Sequence, residues 1–251
     1  AAAELVDEPL EPPLRQWAIN GWVGMGHVTL MVGSGGIGKS LLAQQLASAI
    51  ALGQNFIDDI PTERKVLMWA CEDDHDEIWR RQIAISQWMK TTLASYAPAL
   101  ILEPRHGLSN TMVSTDFGRP VLTHLIDELA AQANDYAADV VIIDNAAQVY
   151  GANEKDRHAV TMFLNALSGR MPGKAIIVLA HPSRGAGSEF SGSSAWDNTA
   201  RTRLYLGANL PDQPKPEHDA EAHTDTIRYL SRRKANYSAK DYRKFDYLNG
   251  V

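Results

Sequence analysis

A chain of 251 residues with 45% hydrophobic and 22% charged residues has the make-up of a soluble globular protein with one large core, so a single α/β-sized domain is expected. No apolar run is long enough to span a bilayer and the N-terminus lacks a signal-peptide layout, which points to a cytoplasmic protein with no membrane partner. The formal net charge is −6, and the one cysteine, Cys71, fits a reducing compartment, where it reads as a small core residue rather than a nucleophile.

Residues 1–16, AAAELVDEPLEPPLRQ, form a proline-rich acidic lead, and an opening without methionine fits a trimmed chain or a piece of a longer one. From residue 17 to 251 the pattern reads as one unit. HVTLMVG (27–33) is an apolar strand that runs directly into GSGGIGKS (33–40) and then into a helix from Lys39. The spacing is G-x-x-x-x-G-K-[ST] in its strand, loop and helix context, the pattern of a phosphate-binding loop. Its backbone N–H groups can converge on one point, because glycines avoid Cβ clashes, and the helix N-terminus adds positive potential. The nucleotide-binding residues are therefore Gly33, Ser34, Gly35, Gly36, Ile37, Gly38, Lys39, Ser40 and Leu41. Lys39 would reach the β- and γ-phosphates of ATP, and the Ser40 hydroxyl would ligate Mg²⁺.

KVLMWAC (65–71) and a helix over 74–89 follow, then the strands ALILEP (99–104), DVVIIDN (139–145) and KAIIVLAH (174–181), with helices near 119–133 and 157–170. Nearly continuous apolar strands alternating with helices predict a mostly parallel central sheet covered on both faces. RTRLYLGAN, TDTIRYLSRRK and YRKFDYLNG read as further strands extending one edge in antiparallel fashion, the first two joined by an exposed loop, LPDQPKPEHDAEAH (210–223).

In open parallel sheets the ligand lies outside the carboxyl ends of the strands. VVIIDN places Asp144 there, suited to hold Mg²⁺ or its water shell. WACED places Glu72 there, suited to activate the attacking water, and IIVLAH places His181 where a polar group can sense a γ-phosphate. Each acidic strand end could equally be a helix cap when taken alone; the coincidence of three polar strand ends favours a working site. Arg201 and Arg203 alternate on one predicted strand face, where surface solubility and phosphate recognition remain alternatives. IRYLSRRKANYSAKDYRK is locally basic and suits a neighbouring subunit's phosphate or nucleic acid. Arg81, on the helix after Glu72, can face the site, although a solvated helix face is the more ordinary reading.

The set GSGGIGKS, WACEDD, VVIIDNA, VLAHPSRG, SGSSAWDNTARTRLYL and RRKANY resembles the RecA-like ATPases of the plasmid RepA hexameric helicase type. These are relatives of DnaB-type replicative helicases and are grouped with the AAA ATPases, and the likeness covers roughly residues 20–248. It implies a RecA-like P-loop fold, Glu72 as catalytic base, Asp144 as second metal-side carboxylate and His181 as sensor. It further implies that Arg201 is an arginine finger donated to the neighbouring subunit's nucleotide, with Lys234 a second basic group at that junction. One departure is Ala180 before His181, where the RepA type has two adjacent histidines. By this likeness the protein is an ATP-hydrolysing ring of six subunits, a DNA helicase or single-stranded DNA translocase, with a primase or replication initiator as possible partner. The loop SRGAGSEFSGSS (183–194) and the segment after Asp144 would face the channel, with Arg184 or Lys155 touching phosphates. The alternative is an ATP-dependent switch or adaptor that assembles and recruits partners without unwinding. A small-metabolite kinase is disfavoured, because Glu72 and Arg201 suit water activation and a trans finger.

Overall fold

The computed structural model describes residues 11–182, 194–211 and 226–247. The apolar runs form strands buried at every position: β3 (Val28–Val32), β4 (Val66–Ala70), β8 (Val140–Asp144) and β9 (Ala175–Ala180). With β5 (Leu100–Pro104), β10 (Thr202–Gly207), β11 (Ile227–Ala235) and β12 (Tyr242–Asp246) they make an eight-stranded sheet in the order β12-β11-β10-β3-β9-β8-β4-β5. The six strands from β10 to β5 are parallel, and β11 and β12 continue antiparallel beyond β10, which gives the expected RecA-like α/β architecture with its antiparallel C-terminal edge.

Successive residues of the central strands feed opposite faces, as the period-2 geometry of a strand requires. Val141 and Ile143 of β8 join Phe163, Leu164 and Leu167 of α5 (Arg157–Arg170) and Ile126 and Leu129 of α3 (Leu125–Asp135) in one core. Val140 and Ile142 join Leu42, Leu46 and Ile50 of α1 (Lys39–Leu52) and Ile78 and Ile85 of α2 (His75–Trp88) in the other. The helices thus cover both faces and leave the strand ends open. Among the described residues no helix is long and apolar enough to cross a membrane.

Two hairpins escape the sequence reading. The first pairs β1 (Trp17–Ile19) with β2 (Val23–Gly24). The second corrects the helix expected from 119: β6 (Val113–Asp116) and β7 (Arg119–Leu122) form an antiparallel pair, and α3 starts only at Leu125. The reason lies in the turn. Phe117 and Gly118 both adopt left-handed backbone, at φ 44° and 77°, between the paired Asp116 and Arg119, so two residues reverse the chain where a helix would have begun. Phe117 stands almost wholly exposed at the tip.

α1 and α2 are locked together by buried amides. Gln44 Nε2 donates to the Ile78 carbonyl and to Gln82 Oε1, each at 2.9 Å, while Gln82 Nε2 donates to Ser48 Oγ at 3.0 Å. The phosphate-loop helix is thereby fixed to the helix that follows Glu72. Removing one amide strands its buried partners without water, at about 1–3 kcal/mol. Gln44→Ala is therefore expected to lower the unfolding free energy by that amount, read as a lower urea midpoint with an unchanged slope, and Gln44→Ala and Gln82→Ala should be strongly non-additive in a double-mutant cycle.

Candidate functional site

The phosphate loop leaves β3 at Gly33, whose N–H donates to the Ala180 carbonyl of β9 at 3.3 Å. A Cβ at Gly33 would lie 2.6 Å from the Leu206 carbonyl oxygen, so the close passage past β10 demands glycine. Gly38, at φ 100°, carries the ring of Tyr247, whose hydroxyl would stand 3.1 Å from an added Cβ. Ile37 is buried and anchors the loop, Ser34 and Leu41 are half-buried, and Gly35 and Gly36 form its exposed tip. α1 starts at Lys39 with no side-chain cap, which leaves first-turn N–H groups for an anion.

Lys39 is 6% exposed, and its ammonium donates to the carbonyls of Gly33 and Ser34, both at 2.8 Å. Burial pulls its pKa down to about 8 against the attraction of Asp144 and Glu72. Its Nζ also stands 3.2 Å from His181 Nδ1, and His181 Nε2 lies 3.3 Å from Asn145 Nδ2. Burial, then the Lys39 charge, holds the imidazole below its ordinary range and so neutral at pH 7. Asn145 in turn caps α4 (Ala146–Val149), its Oδ1 accepting from the Ala147 N–H at 3.0 Å.

Asp144 is 2% exposed. Burial pushes its carboxyl up to about 6, opposed by Ser40 and Lys39 and reinforced by Asp73 and Glu72. Among the described residues its Oδ2 has no hydrogen-bond partner. A buried carboxylate oxygen left in this state beside a serine hydroxyl suits a hard cation. No group of three or more His, Cys, Asp or Glu side chains among the described residues converges as a self-sufficient metal site. Ser40 and Asp144 therefore fit Mg²⁺ in its usual manner, completed by phosphate oxygens and water. Glu72 is exposed beside them, with Gln148 Nε2 at 3.4 Å from its Oε1 and His106 Nδ1 at 3.1 Å from its carbonyl oxygen.

Lys39, Ser40, Leu41, Glu72, Asp144 and His181 all line one cavity of about 240 Å³, together with Gly36 and Gly38 of the loop. Two expected residues lie elsewhere. The Arg201 N–H bonds the Val28 carbonyl, at the opposite end of β3 from the phosphate loop, and Arg201 lines a separate cavity with His27, Asn165 and Ser168. Lys234 donates to the Ala200 carbonyl at 2.8 Å and to that of Asp197, holding the C-terminal end of the helix α6 (Ser194–Thr199). Residues 183–193, with Arg184, lie outside the described residues, and Lys155 is exposed.

Asn145 and Arg81 line the same cavity. Asn145 was legible as a cap residue directly after a strand-end aspartate. Arg81 corrects the solvated-face reading: its side chain is only 20% exposed and is forked onto Asp73. Cys71 is buried, its thiol pushed up to about 12, as suits a core residue.

A search of curated proteins finds no match to this sequence. The family model described as AAA domain matches residues 3–187, which include the phosphate loop, Glu72, Asp144 and His181. A match over most of the chain, joined to a phosphate loop set in a mostly parallel sheet, identifies the chain as a member of the AAA domain family of nucleotide-binding P-loop ATPases.

Proposed function

We propose that residues 17–251 form a ring motor that hydrolyses ATP between subunits, most simply a ring of six, and translocates along single-stranded DNA as a replicative-type helicase. The observation that carries this reading is the separation of Arg201 from the cavity. The cavity and the Arg201 N–H mark opposite ends of β3, whose five residues span about 13 Å between Val28 and Val32. A role for Arg201 in hydrolysis then requires the cavity of another subunit, and a head-to-tail contact of this kind generates a ring when its rotation closes.

Lys39 would exchange the loop carbonyls for β- and γ-phosphate oxygens, and Ser40 and Asp144 would hold Mg²⁺. A Mg²⁺ held there would supply positive charge to offset that of the transition state. Glu72, beside Gln148, would orient the attacking water and accept its proton. His181, between Lys39 and Asn145, would register the γ-phosphate.

The charge states set the pH window. Phosphate binding needs Lys39 charged and cation binding needs Asp144 ionised. In the free protein the first holds below about pH 8 and the second above about pH 6. kcat/KM, which reports the free enzyme, is expected to be bell-shaped with limbs near these values, and Asp144→Asn should lower it, raise the Mg²⁺ concentration that hydrolysis needs, and remove the acid limb from the residual activity.

Glu72→Gln is expected to bind ATP normally and to hydrolyse it ~10²–10⁴-fold more slowly; calorimetry and single-turnover hydrolysis measure the two separately. Arg201→Ala should keep ATP binding and lose hydrolysis by ~10³–10⁵-fold, as loss of a finger does. Mixed with Lys39→Ala protomers, with subunit exchange shown by fluorescence transfer, it should regain activity where an intact loop meets an intact arginine. Full activity of Arg201→Ala alone would refute the trans finger. Hydrolysis stimulated by single-stranded DNA, in an assembly weighed by light scattering, is the matching test of the motor; an unstimulated ATPase would favour the switch or adaptor.

A further inference from the structure

Arg81 is the cationic side chain of the cavity whose work the proposed reaction leaves unassigned. It stands on the first turns of α2, anchored on either side by buried Ile78 and Gln82. Its NH1 and NH2 donate to the two oxygens of Asp73 at 2.6 and 3.1 Å, and its Nε donates to Glu77 at 2.9 Å. Both members of the fork are mostly shielded, at 20% and 18% side-chain exposure. Asp73 follows Glu72 directly, in the short segment between β4 and α2, whose ends are held by the Cys71 N–H on the Asp144 carbonyl at 2.6 Å and by the Ile78 N–H on the Asp74 carbonyl at 3.2 Å.

We propose that Arg81 is a positioning residue: forked onto Asp73 from the rigid start of α2, it fixes the backbone that presents Glu72 and so sets where that carboxylate meets the attacking water. The segment is then held from two sides, because His106 Nδ1 lies 3.1 Å from the Glu72 carbonyl and α2 is itself locked to the phosphate-loop helix through Gln82 and Gln44. Glu72 and the loop that carries the γ-phosphate thus share one rigid frame. A fork resists rotation about both of its bonds, which a single ammonium contact does not, so the geometry demands arginine rather than positive charge alone. Phosphate contact is the competing role, but it would require Arg81 to abandon bonds to two carboxylates.

The inference rests on Glu72 as the water-activating base, and its test separates the two. Steady-state ATP hydrolysis is measured on the assembled protein for Arg81→Gln, Asp73→Asn and the double variant, with melting curves and binding of a fluorescent ATP analogue. A carboxylate misplaced by about 1 Å loses ~10²-fold, so kcat should fall by that order while KM and analogue affinity stay within about twofold. The double variant should lose no more than either single one, because the pair acts as a unit. Arg81→Lys keeps the charge and the packing of the stem and decides the case if Arg81→Gln melts early: it should lose kcat at least ~10-fold with its melting curve unchanged. Normal kcat in Arg81→Lys or Asp73→Asn would overturn the proposal. So would a raised KM confined to the Arg81 variants, which would make Arg81 a phosphate ligand. Normal turnover by Glu72→Gln would instead remove the base itself; an inactive Glu72→Gln beside normal Arg81 and Asp73 variants would remove only the positioning role.

Discussion

The site is organised around two opposite charges that the fold buries, the lysine against loop carbonyls and the aspartate with one oxygen that has no hydrogen-bond partner among the described residues. Lys39 and Asp144 are 6% and 2% exposed, and burial pushes each toward its neutral form, the ammonium down to about 8 and the carboxyl up to about 6. From an ordinary 3.8, that rise costs the folded state about 3 kcal/mol wherever Asp144 is ionised, above about pH 6 and not below about pH 4. Lys39 carries a cost of similar size, about 3 kcal/mol, below about pH 8. In the proposed reaction a polyphosphate with its cation would offset both at once, its oxygens replacing the loop carbonyls at Lys39 and the cation meeting the Asp144 oxygen that has no hydrogen-bond partner among the described residues.

The parallel sheet explains why these charges meet. β3, β8 and β9 run the same way and end together, so Gly33 to Lys39, Asp144 and His181 reach one edge from well-separated stretches of sequence. The same polarity sends Arg201 to the other edge, because β10 is parallel to β3 and Arg201 precedes it. The phosphate loop and Arg201 therefore lie at opposite ends of the parallel strands, and the head-to-tail contact proposed above would bring the Arg201 of one copy to the cavity of the next.

The parts of this arrangement that sequence made legible are those with a strong local pattern. GSGGIGKS is fixed by the covalent demands of a phosphate cradle, and the runs VVIID and AIIVLA can be little other than buried strands. What escaped depends on backbone choices or on distant partners. The hairpin over 113–122 turns on Phe117 adopting a left-handed backbone, which its side chain does not advertise. Arg81 reads as one more charge in a polar helix turn until the backbone brings Asp73 against it. Lys234 sits in the narrow KANY pattern, yet its ammonium is engaged by helix carbonyls more than thirty residues earlier in the chain.

The acidic run EDDHDE shows how such a chain can place five carboxylates beside a site for phosphate. Like charges so close to an anion would repel it, unless each is committed elsewhere. Asp74 caps α2, accepting from the Glu77 N–H at 2.8 Å, and Asp76 and Glu77 lie in the first turn, where the helix dipole favours negative charge. Asp73 and Glu77 share Arg81, and Asp76 faces His75 at 3.4 Å. Among the described residues, Glu72 alone of the five has neither a direct ion pair nor a helix end; the amide of Gln148 meets its side chain, and the Lys39 charge acts on it only through the cavity. The place of Glu72 on the cavity, clear of a helix end and of a direct ion pair, is what suits it among the five to the water-activating role proposed above.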